Sequence, residues 1–288
     1  ITPITGNANP FGGVDVGRDS FPSFVDLDSD GDLDLVVGNS QGTINVYRNG
    51  SGAFAELRDS SNPFNGIDVG YNSAPSFVDI DSDGDLDLVV GDYNGTLSTY
   101  RNNSGAFVEL SGVDNPFNSI NLAYYSKPTF VDIEADGDFD LVVGDYYGNL
   151  ETYRNDSNAF TKLIGAENPF NSIDVGWDGA PSFVNIDGDG DLDLVVGDYN
   201  GTLKSYRNES DTFVQLSGVN NPFNLIDVGT GNAPSFFDVD GDGDLDLVAG
   251  ERDGTIQTYL NTTPQGTTFT VEVPDTLEAN GDFSLALG

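Results

Sequence analysis

Five short segments of this sequence have the residue types and spacing of a site for a hard metal ion. Each segment has nine residues, with acidic or amide side chains at positions 1, 3, 5, 7 and 9 and glycine at position 6. In such a loop the oxygens of positions 1, 3 and 5 lie on one side, the glycine permits a sharp bend, position 7 offers its carbonyl, and position 9 closes the cage. The 25 candidate ligands are Asp26, Asp28, Asp30, Asp32 and Asp34; Asp79, Asp81, Asp83, Asp85 and Asp87; Asp132, Glu134, Asp136, Asp138 and Asp140; Asn185, Asp187, Asp189, Asp191 and Asp193; and Asp238, Asp240, Asp242, Asp244 and Asp246.

This ligand set favours calcium. Calcium accepts six to eight oxygen ligands in flexible geometry, whereas magnesium prefers fewer ligands in a rigid octahedron. We therefore expect about five calcium ions, one for each segment, and we call the segments the first to fifth acidic loops. The alternative, an acidic turn exposed to solvent, does not explain five copies. Two loops depart from the pattern, because Glu134 is longer than Asp at position 3 and Asn185 carries no charge at position 1. We predict weaker binding in those two.

The acidic loops belong to a longer repeat. The tripeptide Asn-Pro-Phe recurs every 53 residues, without insertion or deletion, with its proline at Pro10, Pro63, Pro116, Pro169 and Pro222. In the second repeat, four segments have the composition of short strands separated by turns: Pro75–Ile80, Leu86–Gly91, Leu97–Arg101 and Phe107–Leu110. Four strands in a repeat of this length are typical of a propeller blade. The sequence predicts an all-β fold, a single five-bladed β-propeller of four-stranded blades over residues 1–263.

The chain ends bear on how the ring closes. Ile1–Thr5 falls in the register of the fourth strand, and the fifth repeat holds three strands before its spacing breaks after Leu260. We therefore expect the N-terminal strand to complete the last blade and residues 264–288 to form a C-terminal, β-prone extension. The alternative is that Thr268–Val273 fills the fourth position of that blade itself.

Aromatic side chains gather on one of the two faces that such a propeller would have. Strand direction alternates, so the acidic loops share a face with the turns between third and fourth strands. The other face holds the turns between second and third strands and the connections between repeats. Its candidate ligand-binding residues are Tyr71, Tyr93, Tyr124, Tyr146, Trp177 and Tyr199. Exposed rings beside Asn and Asp suit stacking on sugars. The alternative is that these rings pack between neighbouring blades.

Composition restricts the partners and the location. The formal charge is −38, with 48 acidic against 10 basic residues, so nucleic acid and anionic membranes are repelled. No apolar run approaches the roughly 20 residues of a membrane span, so membrane insertion is not expected. The sequence has no Cys, His or Met, which excludes disulfides, thiolate metal sites and a histidine general base. Because the chain begins at Ile1, we expect a processed, extracellular or cell-surface protein.

The repeat resembles a known family. The D-x-D-x-D-G-x-x-D loop, the following Leu-Asp-Leu-Val-Val-Gly and a Tyr-Arg-Asn tripeptide centred on Arg48, Arg101, Arg154 and Arg207 are similar to FG-GAP/VCBS-type repeats, as in the integrin α-chain propeller. The resemblance covers about residues 6–262. It implies a propeller in which the acidic loop joins the first two strands of a blade and calcium stiffens it. Members commonly have more blades than the five counted here.

Three functions remain open at this stage. We expect first a non-catalytic binding or adhesion module for a glycan or a protein surface, because similar blades present similar surfaces many times. The second is a structural surface or filament subunit that self-associates through residues 264–288. The third is a polysaccharide-active enzyme, against which the lack of His and of a carboxylate pair outside the loops argues. For the repeated Arg we predict a structural ion pair with a neighbouring carboxylate.

Overall fold

The computed structural model describes residues 1–210 and 212–262 as five separate four-stranded antiparallel sheets. In chain order the strands are β1 (Thr2–Ile4), β2 (Phe21–Val25), β3 (Asp34–Gly38), β4 (Ile44–Gly50), β5 (Ala53–Leu57), β6 (Ala74–Val78), β7 (Asp87–Gly91), β8 (Leu97–Asn103), β9 (Ala106–Leu110), β10 (Lys127–Val131), β11 (Asp140–Gly144), β12 (Leu150–Asn155), β13 (Phe160–Lys162), β14 (Ala180–Val184), β15 (Asp193–Gly197), β16 (Leu203–Asn208), β17 (Phe213–Leu216), β18 (Ala233–Phe237), β19 (Asp246–Gly250) and β20 (Ile256–Leu260). Short 3-10 helices precede the Asn-Pro-Phe tripeptides at Gly6–Ala8, Asp59–Ser61, Gly112–Asp114, Gly165–Glu167 and Gly218–Asn220. The predicted five-bladed, four-stranded propeller is confirmed.

The second blade shows how closely the strands follow the pattern. Its sheet order is β6-β7-β8-β9, and all four predicted strands are present with ends displaced by two residues or fewer. The second strand starts at Asp87, the last residue of the acidic loop, because Asp87 already pairs with Val78 in the ladder. The third strand extends to Asn103, where it continues to pair with Ala106. Backbone pairing between strands sets these boundaries, and the strand propensity of single residues does not predict it.

The N-terminal strand closes the ring. β1 pairs antiparallel with β20, so the last sheet has the order β1-β20-β19-β18. Blades five and one are also joined by Ser20, which is fully buried, donates through Oγ to the Thr255 carbonyl at 2.7 Å and accepts the Glu251 N–H at 2.8 Å. Ser73 makes the equivalent bonds between blades one and two. The prediction for residues 264–288, and the alternative strand Thr268–Val273, lie outside the described residues.

The core lies between blades, and the Asn-Pro-Phe tripeptide fixes it. The five tripeptide phenylalanines are each at most 1% exposed, and each packs against strands of two neighbouring blades: Phe11, Phe64, Phe117, Phe170 and Phe223. The tripeptide asparagine forms the turn. Asn62 accepts the Phe64 N–H at 2.8 Å and donates to the Ile44 carbonyl at 2.9 Å. The turn therefore holds the buried ring against its own blade while the ring contacts the next one.

Close approach of neighbouring blades explains the glycine that ends each second strand. A Cβ built on Gly38 would clash with the carbonyl of Ser73, and one on Gly144 would clash with the carbonyl of Gly179. Each of these carbonyls belongs to the connection that leads into the next blade. The glycine of Leu-Val-Val-Gly therefore allows this close contact between backbones. In the part of the chain that the structure describes, no helix has the length and apolar character of a membrane span.

Candidate metal loops and candidate binding face

The backbone of each acidic loop bends at two residues, positions 4 and 6. Position 6 is glycine in all five loops, with φ between +91° and +104°. Position 4 is also left-handed, at Ser29, Ser82, Ala135, Gly188 and Gly241. The glycine at position 6 was anticipated from the sequence, since a φ near +90° is open to glycine and strained for other residues. The positive φ at position 4 was not anticipated, because three of its five residues carry a side chain.

Position 9 anchors the loop to the blade. Asp34 is fully buried, accepts the Asn49 N–H from β4 at 2.7 Å and accepts the Leu27 N–H within the loop at 3.2 Å. The same two bonds recur at Asp87, Asp140, Asp193 and Asp246. Burial raises the pKa of this carboxyl, to about 6 at Asp87, Asp193 and Asp246. Position 9 is therefore a structural acceptor as well as a candidate ligand.

The asparagine that meets position 9 forms the turn after the third strand. Asn49 donates through Nδ2 to the Leu33 carbonyl at 3.1 Å and accepts the Gly52 N–H at 2.7 Å. Its side chain is buried, and Asn155 repeats both kinds of bond. The acidic loops and these turns therefore contact each other on one face of the propeller, which we call the loop face.

In three loops the carboxylates come together. Each group offers one oxygen per residue with all oxygens within 4.8 Å of one another: Asp26, Asp28 and Asp30; Asp79, Asp81 and Asp87; Asp238, Asp240 and Asp246. Position 1 also accepts N–H groups of its own loop, as when Asp26 accepts from Asp30 at 3.2 Å and from Gly31 at 3.0 Å. These bonds shape the loop before any ion binds. A cluster of oxygen donors on a preformed loop fits the coordination chemistry of calcium.

The third and fourth loops, whose sequences depart from the pattern, also differ from the other three in their side-chain arrangement. Among the described residues no such group of three was found in them. In the third loop, burial raises the pKa of Asp140 and a hydrogen bond with the Glu134 carboxyl raises it further. In the fourth, Asn185 accepts the Gly188 N–H at 2.7 Å, as Asp238 accepts the Gly241 N–H at 2.8 Å in the fifth. Weaker binding at these two loops remains a prediction.

The repeated arginine lies beside position 3 of its own loop. The ion pairs are Arg48–Asp28 at 2.7 Å, Arg101–Asp81 at 2.8 Å, Arg154–Glu134 at 3.7 Å and Arg207–Asp187 at 3.8 Å. This confirms the predicted structural ion pair. The fifth repeat has Leu260 at the arginine position, so Asp240 has no guanidinium partner from its own third strand. The fifth loop is thus the most negatively charged of the five once these partners are counted.

The opposite face, which we call the connection face, carries the predicted aromatic residues. Five of the six predicted ligand-binding side chains keep 36% to 67% of their surface exposed, and the sixth, Tyr146, is half-buried. Tyr147, which sequence reasoning missed, is 54% exposed. The sequence could have indicated Tyr147, because it follows Tyr146 in the turn between the second and third strands, at a position where the neighbouring repeats have Asn.

These rings form a continuous belt across blades. Tyr93 lies 6.4 Å from Tyr71, 5.6 Å from Tyr124 and 4.9 Å from Tyr125 between ring centroids. Tyr146 continues the belt, at 5.5 Å from Tyr125 and 5.3 Å from Trp177. The rings therefore do contact each other between neighbouring blades, and they also present surface to solvent. Packing between blades is therefore observed, and sugar stacking remains a prediction.

The propeller axis is closed beneath this belt. At the first position of the inner strands the blades hold Phe21, Ala74, Lys127, Ala180 and Ala233. The Lys127 ammonium lies 5.2 Å from the Phe21 ring centroid and 2.7 Å from Asp178 Oδ1, and it donates to the Asp178 carbonyl at 3.0 Å. Lys127 is 5% exposed. A lysine in a register that otherwise holds three alanines and Phe21 was visible in the sequence, but its partner Asp178 in the connection to the next blade was not.

The backbone bends through a left-handed residue just before each inner strand. The residue two positions before each inner strand has a left-handed φ in all five blades: Asp19 (53°), Asn72 (57°), Tyr125 (54°), Asp178 (65°) and Gly231 (74°). Gly, Asn and Asp adopt this conformation readily, whereas for a bulky residue it costs of order 1–3 kcal/mol. Tyr125 adopts this unfavourable conformation within the belt, where it stacks on Tyr146 with an interplanar angle of 24°.

A cavity of about 490 Å³ opens on the connection face beside these residues. It is lined by Arg18, Asp19, Ser40, Tyr71, Asn72, Tyr93, Tyr125 and Arg252. Burial raises the pKa of Asp19, while the nearby Arg18 and Arg252 oppose that rise. Only Tyr71 and Tyr93 of this lining were predicted as ligand-binding residues. The others come from different repeats, and the closure of the ring brings them together.

Comparison with known proteins agrees with this architecture. The model of the FG-GAP-like repeat matches four times, at residues 26–90, 79–143, 132–196 and 185–249. No curated protein matches the chain significantly. Among solved structures, an Agrocybe aegerita lectin that recognises non-reducing terminal N-acetylglucosamine is 20% identical, with 92% of this chain and 68% of the lectin covered and a TM-score of 0.46.

Two further solved structures are similar at a comparable level. The computationally designed Ika8 protein is 18% identical, with 83% of this chain and 57% of the designed chain covered and a TM-score of 0.34. A putative exo-β-1,3-galactanase from Bifidobacterium bifidum is 8% identical, with 91% and 93% covered and a TM-score of 0.49. At these scores the similarities carry no functional argument. The family matches run from the first acidic loop to the end of the fifth, and this chain belongs to the FG-GAP-like repeat family.

Proposed function

We propose that this chain is a non-catalytic binding module that holds calcium in its acidic loops and binds carbohydrate on its connection face, outside the cell or at its surface. The observation that carries the proposal is the belt of exposed, mutually contacting rings opposite the acidic loops. Because these rings are already packed, they lose little side-chain conformational entropy when a ligand binds. Their apolar faces match the C–H faces of sugars.

The metal part of the proposal is supported by the donor set. The first, second and fifth loops each bring three Asp oxygens within 4.8 Å, and every candidate side-chain ligand is an oxygen donor. Bound calcium would supply positive charge that offsets the repulsion between these carboxylates. Calcium sites of extracellular modules bind in the submillimolar to millimolar range, which suits the proposed location.

The non-catalytic part is supported by the carboxylates of the connection face. Asp19 is the one carboxylate among the described residues that line the cavity, and the nearby Asp178 is paired with Lys127. Glycoside hydrolysis generally uses two carboxyl groups with distinct roles. The arrangement is therefore better suited to binding a sugar than to cleaving it.

A glycan array tests the carbohydrate function. The wild-type chain is compared in calcium and in EGTA with Trp177→Ala, which removes the ring at one end of the belt, and with Val108→Ala on the outer strand β9 as a matched control. We expect Trp177→Ala to weaken glycan binding about tenfold or more with an unchanged melting temperature. The control should bind as the wild type does. Selective binding to a protein ligand with no glycan bound would contradict the carbohydrate function.

A further inference from the structure

The ten basic residues of this chain divide by what they contact. Seven lie within 4.0 Å of a carboxylate: Arg48, Arg58, Arg101, Lys127, Arg154, Lys162 and Arg207. An eighth, Lys204, donates to the Asp174 carbonyl at 3.4 Å. The remaining two, Arg18 and Arg252, form no ion pair with any residue that the structure describes. Both of them line the same cavity on the connection face.

The two guanidinium groups come from opposite ends of the chain. Ring closure joins them, because the Asp19 N–H donates to the Arg252 carbonyl at 3.0 Å. The Arg252 guanidinium is oriented by Tyr199, to whose hydroxyl it donates at 2.7 Å and whose ring centroid lies 5.7 Å away. Arg18 is exposed, and its carbonyl accepts the Ser40 N–H at 2.8 Å. Their backbones are held, while guanidinium N–H groups remain available for a ligand.

Local charge in the cavity differs in sign from that of the whole chain. The lining residues carry two positive charges and one negative charge, from Asp19, although the chain carries −38. Lys127 and Asp178 neutralise each other, and Glu251, which precedes Arg252 in the chain, is buried and accepts hydrogen bonds from Thr255 and Gln257. Half of the acidic residues, 24 of 48, lie in the acidic loops on the far face. At physiological ionic strength, screening over about 8 Å weakens their repulsion of an anion bound here.

We infer that this cavity binds a saccharide that carries a carboxylate, with Arg18 and Arg252 binding the carboxylate. The inference rests on the proposed carbohydrate function and names the class of sugar. A planar guanidinium binds a carboxylate through two parallel hydrogen bonds, which gives both geometry and affinity. Tyr71 and Tyr93 supply apolar faces for the sugar ring, and Asn72 and Asp19 supply a donor and acceptors for its hydroxyls. The volume of about 490 Å³ lies within the range of small-molecule sites.

The test uses matched pairs of sugars. Calcium-loaded, full-length protein is titrated with a galacturonate trisaccharide, a hyaluronan tetrasaccharide and a sialyllactose, each compared with its carboxyl methyl ester, which keeps the shape and removes the charge. At least one acid should bind tenfold or more tighter than its ester. Arg18→Gln and Arg252→Gln should each remove most of that preference. Arg58→Gln, which changes the net charge equally at a distant ion pair with Glu56, should keep it.

The outcomes separate this inference from the function on which it rests. If the glycan array identifies neutral sugars whose binding depends on Trp177, and acid and ester bind equally, the carbohydrate function stands and the acidic-sugar inference is overturned. An acid preference that survives both arginine substitutions also overturns it, because the carboxylate then binds elsewhere. If poly-glutamate binds through Arg18 and Arg252 and no sugar binds, the cavity takes a peptide carboxylate, and both the inference and the carbohydrate function are wrong. Unchanged melting temperatures of the Gln variants show that the fold is retained.

Discussion

The loop face and the connection face arise from the same repeat, yet they keep it to different degrees. On the loop face the position-9 Asp makes the same two backbone hydrogen bonds in all five blades. On the connection face one register position holds Arg18, Tyr71, Tyr124, Trp177 and Thr230. The uniform face joins the strands of each blade, whereas the varied face surrounds an axis at which the inner strands place Phe21, Lys127 and three alanines. We therefore expect substitutions on the loop face to change stability and those on the connection face to change binding.

Removal of calcium should give the largest effect. At a calcium concentration of 100 times its Kd, one site stabilises the folded state by about 2.7 kcal/mol. For a chain of this size three occupied sites correspond to a fall in melting temperature on the order of 20 °C. Thermal unfolding in calcium and in EGTA measures this, with magnesium added back to EGTA-treated protein as a control. Unfolding at the same temperature in both conditions would show that the loops do not bind calcium.

Loss of a position-9 carboxylate should be next in size. Asp87→Ala leaves the Ile80 and Asn102 N–H groups without their acceptor, and we expect it to lower the free energy of unfolding by about 2–4 kcal/mol even without calcium. Asp85→Ala in the same loop removes an acceptor from the exposed Ser104 N–H and should cost less than about 1 kcal/mol. Denaturant unfolding in EGTA compares the two. Equal losses would mean that position 9 has no anchoring role.

The pH dependence of stability should have opposite signs with and without calcium. The pKa of Asp87, Asp193 and Asp246 is raised by burial from 3.8 to about 6, so the metal-free folded state binds more protons than the unfolded chain between these values. The contribution of these three carboxyl groups to the free energy of unfolding is then fully present below about pH 4 and is lost as pH rises towards 6. With calcium present, ionised carboxylates bind the ion and stability should rise over the same range. Melting temperatures at pH 4 to 7 check this, and a rise in EGTA would contradict it.

Exchange of the arginine that faces position 3 should give the smallest effect. Arg48 occupies an oxygen of Asp28, whereas the fifth blade has Leu260 at this position. Arg48→Leu should therefore tighten calcium binding at the first loop by about three- to tenfold, and Leu260→Arg should weaken the fifth by a similar factor. Isothermal titration of both variants measures the change. An unaltered affinity in both would show that the ion pair does not compete with the metal.

Much of the fold follows from the sequence because it depends on short-range patterns. Loop glycines, strand alternation and the Asn-Pro-Phe turn act within about ten residues, and their period of 53 residues identifies the blades. The position of Ile1–Thr5 in that register indicated how the ring closes, and β1 pairs with β20 as expected. The ion pairs of the repeated arginine were anticipated because an arginine recurs in four of the five repeats that carry a carboxylate-rich loop.

Contacts between residues far apart in the chain were not accessible in the same way. The Lys127–Asp178 pair joins residues 51 positions apart, at the start of one inner strand and in the connection to the next blade. The other inner strands begin with Phe21 and three alanines. The cavity of Arg18 and Arg252 exists only because the first and last blades meet. Periodicity gives the order of the blades, but the way their inner edges fill the centre is a question of side-chain packing.

The sequence by itself determined the blade count, the strand order and the oxygen-rich loops, since each depends on residues close together or in strict register. Only the tertiary structure decided which oxygens converge and which aromatic rings touch. It also decided which two arginines form no ion pair with a carboxylate of the described residues, because these outcomes depend on distances between blades. A repeat can specify five similar units, but the cavity that Arg18 and Arg252 line is formed by residues in which those units differ.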